Sequence, residues 1–230
     1  MFILRDLGNA VALTVHSPNK ITYTVHTGRD KMADQQSPSS TRRRYTGSCH
    51  CGKTKYLVYL TLPFTPPDID RPEVPQPRGD QVVYKCNCTT CHKTGMLHLR
   101  VPNAPEDFAL LSPTDPLKEL SDYTCFQGQV HWLFCPTCGV RCFCFGGKGE
   151  TAETEIDGKK VTVWRPSKED GWVEGKNGSY LLINALSLDP LQEGLDLREW
   201  AENKKIMYLQ VLDLEKFAKT YDKPYLGGTY

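Results

Sequence analysis

The sequence predicts a mainly β protein that is organised around closely spaced cysteines and carries small helices only near its end. Short runs rich in valine, leucine, tyrosine and threonine recur through the middle of the chain, and such runs are typical of strands. The dipeptide Asp157-Gly158 between two alternating runs indicates a type I′ hairpin turn. The 230 residues include ten cysteines, most of them in closely spaced groups.

The first part of the chain, residues 1–44, is predicted to be a disordered extension, because MADQQSPSSTRRRY is polar and uneven. A β-like run from Ile21 to His26 leaves a tethered strand open as an alternative. The basic run from Arg42 to Arg44 favours a solvated tether over a binding site for an anionic ligand or nucleic acid. Residues 45–230 are then expected to form one β domain.

The first half of this domain is expected to contain three strands, in KTKYLVYLTL (Lys53 to Leu62), QVVYK and MLHLRV. An insertion at residues 63–80 separates the first two of these runs and contains six prolines from Pro63 to Pro77. Proline lacks a backbone donor, so this segment is predicted to be an extended loop. We interpret it as a surface insertion, with a lid over a site as the alternative.

The second half of the domain begins with a predicted hairpin from Thr151 to Trp164. SYLLINAL, which follows it, has the composition of a buried strand. Helices are expected only after this point. Asp196 is placed to cap LREWAEN, with a glutamate three residues on as in a capping box, and Asp213 is placed to cap LEKFAKTY.

Charge and hydropathy exclude several classes of partner. The formal net charge is +1, so no overall field attracts the protein to nucleic acid or to a membrane surface. No apolar run approaches the roughly 20 residues of a membrane-spanning helix. The start, MFILRDLGNAVALTV, lacks the basic flank and cleavage site of a secretory signal. A soluble cytoplasmic protein is therefore expected.

Seven of the ten cysteines fall into groups of two, three and two along the chain. The groups are Cys49 and Cys51, then Cys86, Cys88 and Cys91, then Cys135 and Cys138. Cysteines one or two residues apart seldom form a disulfide with each other but readily bind one metal ion. The first and last groups together would complete a closed site of four thiolates. The middle group then offers three ligands, as catalytic zinc sites do, and two Zn²⁺ ions per chain are predicted.

Two other assignments of ligands remain open. His92 or His98 would close the second site and make both zinc ions structural. A different partition would use Cys142 or Cys144. Since GVRCFCFG places these two cysteines on one face of a strand, we interpret them as core residues, and Cys125 likewise.

Candidate catalytic residues follow the three-cysteine group. Alternation along MLHLRV places His98 and Arg100 on the same side of a strand. Histidine transfers protons near neutral pH, and arginine holds carboxylates. For each of these residues, an ordinary surface position is the alternative. His131 lies close to Cys135 in sequence and is expected to pack without a catalytic role, with a hydrogen bond to a metal ligand as the alternative.

The three stretches GSCHCGKTKY, CNCTTCHKTG and FCPTCGVRCF, in this order, resemble the glutathione-dependent formaldehyde-activating enzyme family. This family also includes the centromere-protein-V-like zinc domains. The resemblance extends from about Tyr45 to Leu197 and implies a β-tent fold of antiparallel strands. It also implies that the first and third cysteine groups hold a structural zinc ion and that the second holds a catalytic one.

The activity that this resemblance implies is that of a carbon–sulfur lyase. Glutathione or another small thiol would join reversibly to formaldehyde or another small electrophile, giving a hydroxymethyl thioether. The alternative is a non-catalytic zinc module that binds a protein or nucleic acid, as the centromere-type relatives suggest. The N-terminal extension, the proline-rich loop and a second insertion at residues 148–178, which contains the hairpin, depart from the family pattern. Substrate choice is expected to differ there.

Overall fold

Two β-sheets dominate the protein in this computed structural model, which describes residues 39–70, 80–125, 128–168 and 179–230. Across the first sheet, the strands within these ranges are β1 (Thr41–Ser48), β2 (Lys55–Leu62), β5 (Phe108–Ser112), β10 (Lys159–Pro166) and β9 (Gly149–Ile156). Across the second sheet they are β13 (Ala218–Thr220), β12 (Ile206–Gln210), β3 (Val82–Cys86), β4 (His98–Arg100), β11 (Tyr180–Asn184), β8 (Phe143–Gly146), β7 (Val130–His131) and β6 (Thr124–Cys125). The predicted mainly β class is confirmed.

Short helices connect some of these strands. In the described part of the chain they are α1 (Thr89–Thr94), α2 (Ala104–Asp107), α3 (Pro116–Glu119) and α4 (Leu197–Glu202). The expectation that helices occur only near the end is therefore wrong, since α1 to α3 precede most of the second sheet. None of the helices in the described ranges is long and apolar enough to cross a bilayer.

The two helices predicted near the end have different outcomes. Asp196 caps α4, and its carboxylate accepts a hydrogen bond of 2.9 Å from the backbone N–H of Arg198. The helix predicted after Asp213 is not formed: Leu214–Lys216 make a single 3-10 turn, and the chain continues as β13. Asp213 makes no side-chain cap, and the segment pairs with β12 instead, so strand pairing overrides the local helical pattern.

One pair of neighbouring strands departs from the expected antiparallel arrangement. Strands β3 and β12 run parallel, with Cys86 beside Leu209. Parallel neighbours need a long connection, and here β4 to β11 and α4 lie between the two strands in sequence. As a result, the end of the chain is placed beside the strand that leads into the three-cysteine group.

The core takes aromatic side chains from both sheets. The ring of Phe108 lies 5.5 Å from that of Tyr56 and 5.2 Å from that of Phe143, between centroids. The hydroxyl of Tyr56 shares a hydrogen bond of 2.8 Å with Ser187, so this buried polar group is satisfied. A continuous apolar cluster therefore joins the two sheets.

The three cysteines that were assigned to the core differ in burial. Cys142 is 2% exposed and Cys144 is 0% exposed, which confirms that both pack in the interior. Cys125 is half-buried on the short edge strand β6 and packs against the apolar cluster that contains Cys144, so it lies at the margin of the core. An edge strand has a pairing neighbour on one side only, so its residues are less covered than those of a central strand. The sequence of this two-residue strand does not indicate that it lies at an edge.

The predicted hairpin is confirmed as β9 and β10, which extend the first sheet beyond β5. Asp157 and Gly158 have φ angles of 51° and 75°, as a type I′ turn requires. The assignment of residues 148–178 as an insertion stays a prediction, and residues 169–178 lie outside the described residues. Residues 71–79 of the proline-rich loop also lie outside them.

The predicted boundary of the N-terminal extension needs a correction. Residues 41–44 belong to β1, which pairs with β2 along its whole length, so order begins before residue 45. The expectation of a solvated basic tether at Arg42 to Arg44 is wrong as well. Their guanidinium groups pair with Asp107, Glu193 and Asp157 respectively. Residues 1–38 lie outside the described residues.

The first testable consequence of this packing concerns Gly47 in β1. A Cβ atom added at this position would lie 2.1 Å from Cζ of Tyr56, whose buried ring covers the glycine across the strand pair. We expect Gly47→Ala to lower the free energy of unfolding by about 1–3 kcal/mol, as overpacking does elsewhere. Urea denaturation measures this change. Lys55→Ala, at an exposed position of β2, is the control and should stay within about 0.5 kcal/mol of the parent.

Candidate metal centres

The first and third cysteine groups meet in space, as the sequence predicts. The sulfur atoms of Cys49, Cys51, Cys135 and Cys138 all lie within 4.8 Å of one another. The sulfur of Cys51 is 3.6 Å from that of Cys49 and 3.5 Å from that of Cys135. Four sulfurs at about 2.3 Å from a tetrahedral zinc ion would be about 3.8 Å apart. The arrangement therefore fits a closed metal site with four thiolate ligands.

Local backbone turns bring these sulfurs together. The N–H of Gly52 donates to the carbonyl of Cys49 at 2.9 Å, and the N–H of Gly139 donates to the carbonyl of Cys135 at 2.9 Å. Gly52 and Gly139 have φ angles of 74° and 75°, a left-handed conformation that glycine adopts without steric cost. Each glycine thus lets the chain turn just after a pair of ligands.

Hydrogen bonds favour the thiolate form of two ligands in this group. Burial raises the pKa of Cys49, but the N–H of Thr54, 3.2 Å from its sulfur, and the neighbouring thiols outweigh burial and lower this pKa to about 6. The backbone N–H groups of Val140 and Cys51 lower the pKa of Cys138. The thiolate is the form that binds metal, so the surroundings of these two sulfurs favour a cation. At Cys51 a backbone hydrogen bond lowers the pKa, but burial and the neighbouring thiols outweigh it and raise this pKa to about 11.

This four-cysteine group links parts of the fold that are distant in sequence. Cys49 directly follows β1 of the first sheet, whereas Cys135 and Cys138 lie between β7 and β8 of the second. Cys49 and Cys135 are each 1% exposed and pack within the main apolar cluster. A metal ion in this position would cross-link the two sheets at the edge of the core.

The second group is formed by Cys86, Cys88 and Cys91, whose sulfurs also lie within 4.8 Å of one another. Cys86 ends β3, and its sulfur is 3.4 Å from that of Cys88. Cys88 is the N-cap of α1, where its sulfur accepts a hydrogen bond of 3.4 Å from the N–H of Cys91. Gly95 ends the helix in a left-handed conformation. The turn of α1 therefore places two of the three sulfurs side by side.

Neither histidine that was considered as a closing ligand belongs to the second group. His92 is exposed on α1. His98 is close, with Nε2 3.1 Å from the sulfur of Cys91, but it is not among the atoms that lie mutually within 4.8 Å. In the described ranges this group consequently has three candidate ligand atoms, against four in the first group. Cys142 and Cys144 join neither group.

His98 is deeply buried beside the second group, which excludes the surface position considered from the sequence. It is 1% exposed, and its ring stacks on that of Tyr84 with centroids 4.7 Å apart. Burial lowers the pKa of His98 to about 4, so the ring is neutral at pH 7 and carries one N–H. Its Nε2 lies 3.1 Å from the sulfur of Cys91, and the two atoms share a hydrogen bond. Its Nδ1 has no hydrogen-bond partner among the described atoms.

Arg100 and His131 occupy different surroundings. Arg100 lies two positions after His98 on β4 and is half-buried, and its Nε has no hydrogen-bond partner in the described part of the chain. Its predicted role in binding a carboxylate stays a prediction. His131 contacts Asp122, with Nδ1 2.5 Å from the carboxylate, and so its observed partner is not a metal ligand.

Sequence reasoning missed the side chains that enclose the second group. Trp132 is 4% exposed and packs in one apolar cluster with Cys91, Met96 and Cys144. Its indole Nε1 has no hydrogen-bond partner within the described ranges. The half-buried Cys86 and Cys88 lie against this cluster, so the group has an apolar border on this side. Only the aromatic character of VHWLFC hinted at such a neighbour.

Comparisons with known proteins leave the family open. No family model matches the chain. A crystal structure of a Rhodobacter sphaeroides protein is similar to it with a TM-score of 0.36 and 14% sequence identity, over 64% of this chain and 91% of that one. That likeness is too distant to support an argument. The resemblance to the formaldehyde-activating family and its β-tent fold therefore stays a prediction.

Proposed function

We propose that this protein is a zinc-dependent enzyme of the carbon–sulfur lyase type, which forms or cleaves the adduct of a small thiol and a small carbonyl compound. The observation that carries the proposal is the unequal size of the two cysteine groups, four sulfurs in one and three in the other. Structural zinc sites are closed by four protein ligands, whereas catalytic sites leave one position for water or substrate.

The two groups have separate roles in this proposal. Cys49, Cys51, Cys135 and Cys138 hold the structural zinc ion, and Cys86, Cys88 and Cys91 hold the catalytic one. A zinc ion held by the second group would supply Lewis acidity and would lower the pKa of a thiol bound to it. The thiol substrate is glutathione or a molecule of similar size, and the electrophile is formaldehyde or another small carbonyl compound.

The reaction forms one S–C bond and converts the C=O double bond into a C–OH group, and the thiol proton ends on that oxygen. The protein's contribution is to hold sulfur and carbonyl carbon together in one place. His98 orients the sulfur of Cys91 through its Nε2 contact of 3.1 Å. His98 is the candidate catalytic residue through this contact, and Arg100 is the candidate partner for a substrate carboxylate.

The competing function, a zinc module that binds nucleic acid, is not favoured by the surroundings of the basic residues. The one dense basic run, Arg42 to Arg44, is engaged in ion pairs with acidic residues of this same chain. A basic surface free to meet phosphates is what such a module requires. The remaining competitor is a protein-binding module in which both zinc ions are structural.

Metal analysis of protein prepared under reducing conditions tests the arrangement of ligands. We expect two zinc ions per chain, because the structure assembles two separate groups of cysteine sulfurs. Cys125→Ser is the matched control, since Cys125 is a half-buried cysteine outside both groups, and it should also bind two. A parent stoichiometry of one, or disulfides among the seven ligands, would contradict the four-plus-three arrangement.

An activity assay tests the proposed chemistry. Zinc-loaded protein is incubated with glutathione and a panel of aldehydes, and the rates of adduct formation and breakdown are compared with those in buffer. The comparison with buffer is essential, because thiols add to formaldehyde unaided. Acceleration by the parent and by Cys125→Ser, but not by Cys88→Ser, is the expected result. Equal rates with and without parent protein for every aldehyde would overturn the proposal.

A further inference from the structure

Asn87, which lies between the first two cysteines of the second group, is tied by its side chain to residues near the end of the chain. It is 3% exposed, and its Oδ1 accepts hydrogen bonds from the N–H groups of Val211 at 2.7 Å and Leu212 at 2.9 Å. Its Nδ2 donates to the carbonyl of Leu226 at 3.0 Å and to the side chain of Gln210. The donor and acceptor capacity of this amide is thus largely used.

The backbone of Asn87 is held as well. Its N–H donates to the carbonyl of Leu209 at 3.2 Å, which continues the parallel pairing of β3 with β12 one residue past Cys86. We refer to residues 221–230 as the C-terminal strap. The strap also accepts a hydrogen bond from Lys85, whose ammonium group donates to the main-chain oxygen of Tyr230.

The strap packs closely against Asn87. A Cβ atom added at Gly228 would lie 3.1 Å from the carbonyl oxygen of Tyr225, 3.3 Å from Cβ of Pro224 and 3.5 Å from Cβ of Asn87. A shallow crevice between β12 and the strap is lined in part by Cys86. The strap therefore reaches the surroundings of a metal-binding residue.

Local structure fixes the positions of two of the three sulfurs relative to each other, but not the position of the third. Cys88 and Cys91 are fixed relative to each other by α1, through the hydrogen bond from the N–H of Cys91 to the sulfur of Cys88. Cys86 belongs to β3 instead. Its position relative to α1 depends on the single residue that connects strand and helix cap, which is Asn87.

We propose that Asn87, held by β12 and the C-terminal strap, is a positioning residue that sets the place of the Cys86 sulfur relative to those of Cys88 and Cys91. This inference rests on the proposed function, because it takes these three cysteines to be an open metal centre. A closed site has a fourth ligand to correct a misplaced sulfur. A three-ligand site does not, so its affinity depends on the preformed spacing.

The test compares metal affinity at the two sites of the full-length protein, measured by competition with a chromophoric chelator. We expect Asn87→Ala to weaken the second metal about tenfold or more, in the range found when residues that orient ligands are removed, and to leave the first unchanged. Its cobalt-substituted form should show an altered absorption spectrum for the second site only. Gly228→Val, which displaces the strap from Asn87, should act in the same direction.

Leu226→Ala is the matched control. Its side chain is 93% exposed, and the substitution keeps the carbonyl that Asn87 uses, so both affinities should stay within about twofold of the parent. If Asn87→Ala does not fold, Gly228→Val carries the test alone. Equal loss at both sites in the folded variant would show a merely structural role and overturn the inference. If the parent binds two metal ions and Asn87→Ala leaves the affinity of the second site unchanged, this inference alone is overturned. If the parent binds only one metal ion, the proposed function is overturned with it.

Discussion

Cys138→Ser is expected to release one zinc ion and to abolish the cooperative unfolding transition of the domain. The four-cysteine group joins the two sheets, and Cys51 and Cys135, whose sulfurs are 3.5 Å apart, are separated by 84 positions in sequence. Structural zinc sites contribute about 10–16 kcal/mol of apparent binding energy in small peptides. That is as large as the whole stability of an ordinary domain, about 5–15 kcal/mol. Loss of the site should therefore leave no stable fold.

Differential scanning calorimetry and metal analysis measure these two effects together. Cys125→Ser, the matched control, removes a half-buried thiol outside both groups and should melt like the parent with two zinc ions bound. A Cys138→Ser variant that melts at the parent's temperature would show that this group does not hold a structural metal ion.

Cys88→Ser should have the opposite combination of effects: loss of the second zinc ion and of activity, with the fold retained. The sulfur of Cys88 lies 3.4 Å from that of Cys86 and accepts a hydrogen bond from the backbone N–H of Cys91. Cys88 is therefore the central residue of the group. The three ligands span only one short segment. Loop-closure entropy alone predicts that a link over that segment stabilises the fold by about 2.5 kcal/mol less than the link between Cys51 and Cys135.

Circular dichroism, thermal unfolding and metal analysis separate these outcomes for Cys88→Ser. A melting temperature close to the parent's, one bound zinc ion and no acceleration of adduct formation are expected. Unfolding of Cys88→Ser to the same extent as Cys138→Ser would mean that the second group is as structural as the first.

Features with a local cause were predictable from the sequence. The turn at Asp157-Gly158 is set by two residues that accept positive φ angles, and it occurs where the pattern places it. The partition of seven cysteines into four and three followed from their spacing, because neighbouring cysteines share a metal more readily than a disulfide. Asp196 caps α4 through a hydrogen bond within its own turn.

Features that depend on distant partners were not predictable. The segment after Asp213 has a helical pattern but pairs with β12. Alternation along β4 left a surface position open for His98, yet the rings of Tyr84 and Trp132 lie against it and it is buried. Helix α1 was missed because TTCHKT has weak helix propensity and its cap is a cysteine. The partners of Asn87 lie more than 120 positions later, beyond the reach of any local signal.

The measurement that tests the open second site most directly is the absorption of the cobalt-substituted parent as glutathione is added. Cobalt takes the place of zinc and absorbs through its sulfur ligands. If the second group leaves one position open, the thiol of glutathione should enter it and strengthen the sulfur-to-cobalt absorption, and Cys88→Ser should not show this change. A parent spectrum that ignores glutathione and already indicates four protein ligands at both sites would contradict the catalytic assignment, and a binding module with two structural metal ions would replace it.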